Sequence, residues 1–380
     1  MGGPLTGLKV VELVGLGPGP FCGMLLADLG AEVLCVDRIE VARAADPDRP
    51  ATNAMHRSKR VIGLDLKHTD GPETFLKLIE HADAMFEVFR PGVAERLGIG
   101  PDACLARNPR LIYGRLTGWG QDGPYANAAG HDIDYIALAG ALEPLGRAGQ
   151  PPTPPLNVIG DFAGGGMLLA FGIAAAAFER ERTGQGQVID AAMVDGAALM
   201  LTPFYGARAS GFWTERGTNL LDTGAPFYEV YETSDGQWVA VGAIEPQFYA
   251  ALLSVLGLDA AALPDRDDRA NWPGLKERFA SVFRTRTRDE WVAAAEGADA
   301  CLAPVLTPLE ATRHPHNDAR GTFLELHGVP QPAPAPRFSR SRLDPPAPPQ
   351  QPGASTEAAL AGFGFDAADV EKLRAAGVLI

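Results

Sequence analysis

Three side chains stand where acid–base work can be done: His131, Asp161 and Glu245. His131 follows a glycine and opens GHDIDYIALAGAL, whose apolar spacing predicts a helix with the imidazole at its first turn. There the free N–H groups and the positive end of the helix dipole favour a neutral ring and can also receive a developing negative oxygen. Asp161 lies in LNVIGDFAGGGMLLAFGIAAAAFERE, which reads as a strand ending at Asp161 and a helix capped by it, apolar all round and therefore buried. Gly164, Gly165 and Gly166 in that first turn each cost about 1 kcal/mol of helix propensity against Ala, so something must approach the backbone closely, with Asp161 facing it. Glu245, in WVAVGAIEPQFY, falls between a strand and a helix whose first turn is fixed by Pro246. Taken singly, each residue also reads as a cap or a surface group.

The elements that must position them follow from the pattern around them. KVVELVG, a helical stretch around FCGMLLADLG, then AEVLCVD, DAMFEVF and RLIYGRLT alternate β and α, which implies a parallel sheet wrapped by helices. Near Leu221 the pattern changes: FYEVYET and QWVAVGA flank Ser234, Asp235 and Gly236, a hairpin signal that parallel crossover units do not use. The expected fold is α/β, with a large parallel-sheet domain over 1–190, a linker over 191–220 and a small α+β domain over 221–297. A second linker over 298–328 leads to 329–380, a Pro-rich strap and C-terminal helices on either side of Gly364 that pack back on the large domain.

Several other readings fail on the same residues. VVELVGLGPGPFCGMLLADLGAEVLCVDR imitates a dinucleotide-binding unit ending in Asp37, but Pro18 and Pro20 remove amide donors that a phosphate cradle needs. Gly15, Gly17 and Gly19 are better explained by tight strand-to-helix packing. With 33 Lys and Arg against 47 Asp and Glu, the 380-residue chain has a net charge of -14 and no evident basic face for a nucleic acid. An anionic ligand must be met by a local basic cluster. Cys22, Cys35, Cys104 and Cys301 form no CxxC pair, which points to reduced thiols in the cytoplasm rather than a disulfide frame or a zinc site. His314 and His316 in RHPHND sit in a Pro-containing loop and read as linker, so no metal is expected. The apolar run from Met167 to Phe178 falls short of the roughly 20 residues of a membrane span. Glu12 interrupts what a signal peptide would keep apolar, and the lipidation-like start at Gly2 runs into a buried strand.

Longer runs carry a resemblance. VVELVGLGPGP, RLTGWGQDGPYANAAGHDIDYIALAG, PPLNVIGDFAGGGM, VIDAAMVDG, GAPFYEVYETSDGQWVAVGAIEPQFY and PAPRFS together resemble the family III CoA-transferases, most closely their α-methylacyl-CoA racemase branch, almost from end to end. The resemblance implies a large lobe made from both chain ends, a small central lobe, and an interlocked homodimer with each active site at the subunit interface. It implies His131 and Asp161 as proton-transfer residues on opposite faces of an acyl-CoA thioester, and Glu245 as the partner that orients the imidazole. The Asp132 N–H is expected to donate to the enolate oxygen. Coenzyme A, a part of the substrate rather than a separate cofactor, is expected at Arg38, at Leu64, Asp65, Leu66 and Lys67, at Val88, Phe89 and Arg90, at Arg96, and at Gly130, His131, Asp132, Ile133, Asp134 and Tyr135. Val88 and Phe89 depart from the family pattern, where a smaller and more polar pair is expected. Met193, Met200, Phe204, Trp213 and Phe227 are candidates for the acyl surface, although core packing explains each as well. The alternative within the family is CoA transfer between carboxylic acids through an Asp161 anhydride.

Overall fold

The structure is a computed structural model that describes residues 2–46 and 51–380; residue 1 and residues 47–50, parts of the first large-domain segment, lie outside the described residues. The chain divides into two compact units. The first combines Met1–Ala139, Leu156–Met200 and Pro315–Ile380, and the second combines Gly140–Pro155 with Leu201–His314.

The first unit is built on six strands, β1 (Lys9–Leu13), β2 (Glu32–Arg38), β3 (Arg60–Leu64), β4 (Ala84–Glu87), β5 (Ile112–Thr117) and β6 (Gln187–Ala192). They pair in the order β3-β2-β1-β4-β5-β6 and all run parallel. Period-two alternation divides their side chains between two cores. Val11, Leu13, Leu34, Val36, Ile62, Met85 and Tyr113 face one side, where Leu360, Phe363 and Val370 of the C-terminal segments cover them. Val10, Val33, Cys35, Val61, Phe86 and Ile112 face the other, under helix α1 (Pro18–Asp28) and the helix Leu168–Thr183. Burial on both faces explains why β1, β2 and β4 are so largely apolar, whereas the edge strand β6 is largely exposed over 187–190 and more polar.

Buried ion pairs fix α1 in place. Glu12 of β1 points into the second core with no exposed surface and accepts from Lys59 Nζ at 2.6 Å, which also donates to Pro20 O at 2.8 Å. A Cβ on Gly23 would stand 1.9 Å from Glu12 Oε2, so only glycine lets α1 ride over this pair. Arg57 donates to Asp28 Oδ1 at 2.9 Å and also to Gln331 Oε1 and Pro332 O, tying the end of α1 to the Pro-rich stretch.

The second unit holds the antiparallel strands β7 (Tyr228–Glu232), β8 (Trp238–Gly242) and β9 (Leu302–Pro304), with β7 and β8 joined at the Ser234–Gly236 turn. Phe227, Tyr231, Trp272, Phe279, Phe283 and Trp291 form its core. A further hairpin of the first unit, β10 (Phe323–Leu326) with β11 (Val329–Pro332), opens the Pro-rich stretch.

The segment around Asp161 departs from expectation. Leu156 to Gly160 form no strand; Val158–Met167 is a π-helix that runs straight into Leu168–Thr183. The joined helix spans 26 residues, Val158–Thr183, and by length and composition alone is long and apolar enough to cross a membrane. It exceeds the apolar run read from the sequence because the π-helical segment extends it. Nor is it wholly buried: Phe171 and Phe178 are 72% and 68% exposed.

Candidate functional site

The carboxyl ends of the strands open into a groove. In a sheet of this order β1 and β4 are the neighbours at which the connections reverse direction, and open α/β sheets place ligands outside the strand ends there. Leu16, Gly17 and Pro18 after β1, Val88, Phe89 and Arg90 after β4, and Thr117, Gly118 and Trp119 at the end of β5 line a cleft of about 370 Å³. Gly130, His131, Tyr135, Asp161 and Met193 complete its wall. Leu16 and Phe89 also line a second cleft of about 590 Å³, shared with Asp37, Arg38, Leu64, Asp65, Leu66 and Lys67. Arg38 and Lys67 continue into an open trough of about 830 Å³ that reaches Asn53, His56 and the Pro349–Pro352 stretch.

His131 is the N-cap of the helix Asp132–Leu138, in extended conformation. Its N–H donates to Asp134 Oδ2 at 3.0 Å, and its carbonyl accepts from Asp134 N and Tyr135 N, which turns the chain from loop to helix. The turn before it is held by Tyr135, whose hydroxyl donates to Gly130 O and whose ring packs edge-on against Trp119 at 4.8 Å. A Cβ on Gly118 would meet the Tyr135 ring at 2.1 Å. Asp132 N–H lies in the first helical turn, where the helical ladder offers it no acceptor.

Asp161 sits inside the π-helix rather than at its start. Its Oδ2 accepts from Asn157 Nδ2 at 3.0 Å, and its backbone N–H donates to Asp132 Oδ1 at 2.7 Å. Burial holds its carboxyl above the usual carboxylate range, and the Asp132 charge pushes the same way; the Asn157 amide and the His131 imidazole oppose them without reversing the direction. The three glycines after Asp161 have a structural explanation. A Cβ on Gly164 would stand 2.8 Å from Ala197 N, one on Gly165 2.9 Å from Met193 Cγ, and one on Gly166 2.5 Å from Pro18 O. What approaches this backbone is α1 and the helix Met193–Met200 of the same chain. The glycines around the start of α1 serve the same site: Gly15 and Gly19 leave room for Val88, and Gly17 leaves room for Asp161.

The structure thus brings His131 and Asp161 to one cleft, with Val88, Phe89, Arg90, Gly130 and Tyr135 around them. Arg38, Leu64, Asp65, Leu66 and Lys67 line the adjoining one. Asp132, Ile133 and Asp134 do not line either, Asp132 being buried behind Asp161 and Asp134 turned to the His131 amide, and Arg96 is an exposed residue beside Gly92. Glu245 lies in the second unit, exposed, as N-cap of the helix Pro246–Leu256, and is not among the cleft residues. Of the acyl-surface candidates, Met193 lines the cleft, whereas Phe227 belongs to the second unit's core and Phe204 packs on Trp213. Among the described residues no three His, Cys, Asp or Glu side chains gather as a metal site.

Sequence reasoning missed Asn157, Trp119 and the Glu87–Arg115 pair. Asn157 precedes Asp161 by one helical turn, a spacing that is a usable signal. Glu87, buried at the end of β4, accepts from Phe89 N–H and from Arg115 Nε at 3.2 Å, so it shapes the Val88–Phe89 wall from behind. Burial pushes its carboxyl up to about 7 against the pull of those donors.

CoA-transferase family III matches residues 5–356. The chain is 46% identical over 373 residues to Alpha-methylacyl-CoA racemase of Mus musculus, covering 97% of this chain and 96% of that one. It is 45% identical over 377 residues to Alpha-methylacyl-CoA racemase of Homo sapiens, covering 97% and 96%. A CAIB/BAIF family protein from Brucella suis has a similar solved structure, with a TM-score of 0.81 at 28% identity over 96% of this chain and 100% of that one.

Proposed function

The chain belongs to CoA-transferase family III, and from that premise we propose that it is an isomerase inverting the α-carbon of 2-methyl-branched acyl-CoA thioesters. The observation that carries this reading is the meeting of His131 and Asp161 in one cleft at the carboxyl ends of the sheet. A hydrogen α to a thioester carbonyl is weakly acidic, so its removal needs a base and a donor for the enolate oxygen. His131 takes the proton from one face of the carbon, the C–H electrons pass into the enolate, and the protonated Asp161 carboxyl returns a proton to the other face; the mirror-image substrate runs the roles in reverse. The Asp132 N–H is the donor to the enolate oxygen. Each such donor is worth roughly 3–4 kcal/mol in other enzymes. The coenzyme A portion lies along Arg38, Leu64–Lys67 and Val88–Arg90, where exposed Arg38, Lys67 and Arg90 supply the local positive charge that the acidic chain otherwise lacks.

The active form is a homodimer. Phe171 and Phe178 project from a long apolar helix that the chain's own fold does not cover, which is the mark of a surface for another subunit. The same association accounts for the 26-residue apolar helix without a membrane. Glu245, exposed on its helix cap, meets the imidazole where two copies come together and holds its orientation. The free thiols suit the reducing cytoplasm.

The test is to incubate one enantiomer of a 2-methylacyl-CoA in deuterated water without an acceptor acid and to follow C2 by mass and chirality. Two-base exchange puts deuterium on C2 together with inversion. If C2 keeps its hydrogen while acyl exchange onto a free acid proceeds, Asp161 attacks the carbonyl, expels the CoA thiolate and forms an anhydride, and the isomerase reading is wrong.

A further inference from the structure

Asp132 has been given a task only through its backbone. Its side chain is 5% exposed, yet among the described residues no cation pairs with it: Oδ1 accepts the Asp161 N–H at 2.7 Å, and Oδ2 is buried without a hydrogen-bond partner. A buried carboxyl oxygen left unpaired costs stability, and this one stands beside a second carboxyl in the cleft wall. Room has been made for it, since a Cβ on Gly160 would come within 2.6 Å of Asp132 Oδ1. We propose that Asp132 is a positioning residue for Asp161: its Oδ1 clamps the π-helical turn that carries Asp161, and its uncompensated negative charge makes Asp161 a different kind of base from His131. This rests on the isomerase reading for its catalytic meaning, but the coupling of the two carboxyls stands on geometry.

The groups around Asp161 single Asp132 out. From the Asp132 helix and its cap come His131, Asp132 and Tyr135, from its own segment Asn157, and from the segment after β4, across the cleft, the exposed cation Arg90. Its flanking backbone meets α1 and the helix Met193–Met200 through Pro18, Phe21, Met193 and the Gly196–Ala197 backbone, none of them charged. Asp132 is therefore the negative side chain acting directly on Asp161, and its removal changes one charge.

Two variants separate the clamp from the charge. Asp132→Asn keeps an acceptor oxygen for the Asp161 N–H and removes the charge; Asp132→Ala removes both. In the substrate-free protein, infrared titration of the Asp161 carboxyl, identified by its loss in Asp161→Asn, is expected to move to lower pH in both Asp132 variants. With substrate, the acid limb of kcat/KM moves to lower pH in the direction that uses Asp161 as base and stays in place in the direction that uses His131. Asp132→Ala also lowers kcat about a hundredfold with little change in KM, the effect expected of a base displaced by about 1 Å, and Asp132→Asn restores most of it. An unmoved Asp161 titration, equal movement of both limbs, or equal kcat in the two variants overturns the proposal. Failure of the wild-type protein to exchange C2 would instead overturn the isomerase reading, which the infrared titration does not depend on.

Discussion

Gly17 and Asp161 occupy each other's space: a Cβ on Gly17 would lie 3.2 Å from Asp161 Oδ2, and Gly17 itself has φ of 64°. The loop that resembles a phosphate cradle is thus the floor beneath a carboxyl. Gly17→Ala is expected to cost about 1–3 kcal/mol in backbone strain and to lower kcat more than it alters KM. Thermal melts and steady-state kinetics check the two parts separately.

His131→Ala should lower turnover by about 10²–10⁴-fold while binding of the CoA thioester changes little, because in the proposed mechanism the imidazole acts on the reacting carbon and not on the nucleotide end. Glu245→Gln should cost less, since it weakens orientation and leaves the base. A Glu245→Gln loss as large as that of His131→Ala would mean that Glu245 itself moves protons.

Asn157→Ala removes a hydrogen bond that favours the Asp161 carboxylate, while burial and the Asp132 charge continue to disfavour it. The Asp161 carboxyl must then rise further above the usual range, so its basic form appears at higher pH. The acid limb of kcat/KM in the direction that uses Asp161 as base shifts upward. A pH profile measured from each enantiomer reads this directly.

Lys59→Met strands the Glu12 carboxyl in the core and is expected to destabilise the protein by about 3–5 kcal/mol. Adding Glu12→Gln should recover a large part of that loss, because the pair costs more when broken than when absent. Urea denaturation of the single and double variants measures it.

The protein should sediment as a dimer that does not dissociate on dilution, and Phe171→Glu should disrupt it by placing a charge on the apolar helix face. An active monomer in light scattering would contradict the proposed assembly.

Much of the fold was legible because the central strands β1, β2 and β4 send alternate side chains into two apolar cores, which leaves continuous apolar runs in the sequence, while β7 and β8 bury one face and keep a visible alternation. The His131 cap was legible too, since a glycine followed by a histidine and an apolar period leaves few other arrangements. Asp161 was misplaced by one element type: Val158 and Ile159 are β-branched and read as strand, whereas the close approach of α1 and the helix Met193–Met200 selects a π-helical path that only the packed structure reveals. The exposure of Phe171 and Phe178 was invisible for a related reason. Composition records that a helix face is apolar, not whether this chain or another covers it.

The first unit's inner sheet is finished by residues that come last. Leu360, Phe363 and Val370 cover one face of strands that lie before Thr117, and the whole of Leu201–His314 must leave the ribosome between them. At cellular rates of synthesis the stretch from Thr117 to Leu360 takes roughly 10–50 seconds, during which Val11, Leu34, Ile62 and Met85 lack their cover. The nascent chain is therefore a natural client for chaperones. A stop codon that removes only the last few dozen residues would spare every residue of the catalytic cleft and still leave a polypeptide that cannot close its core.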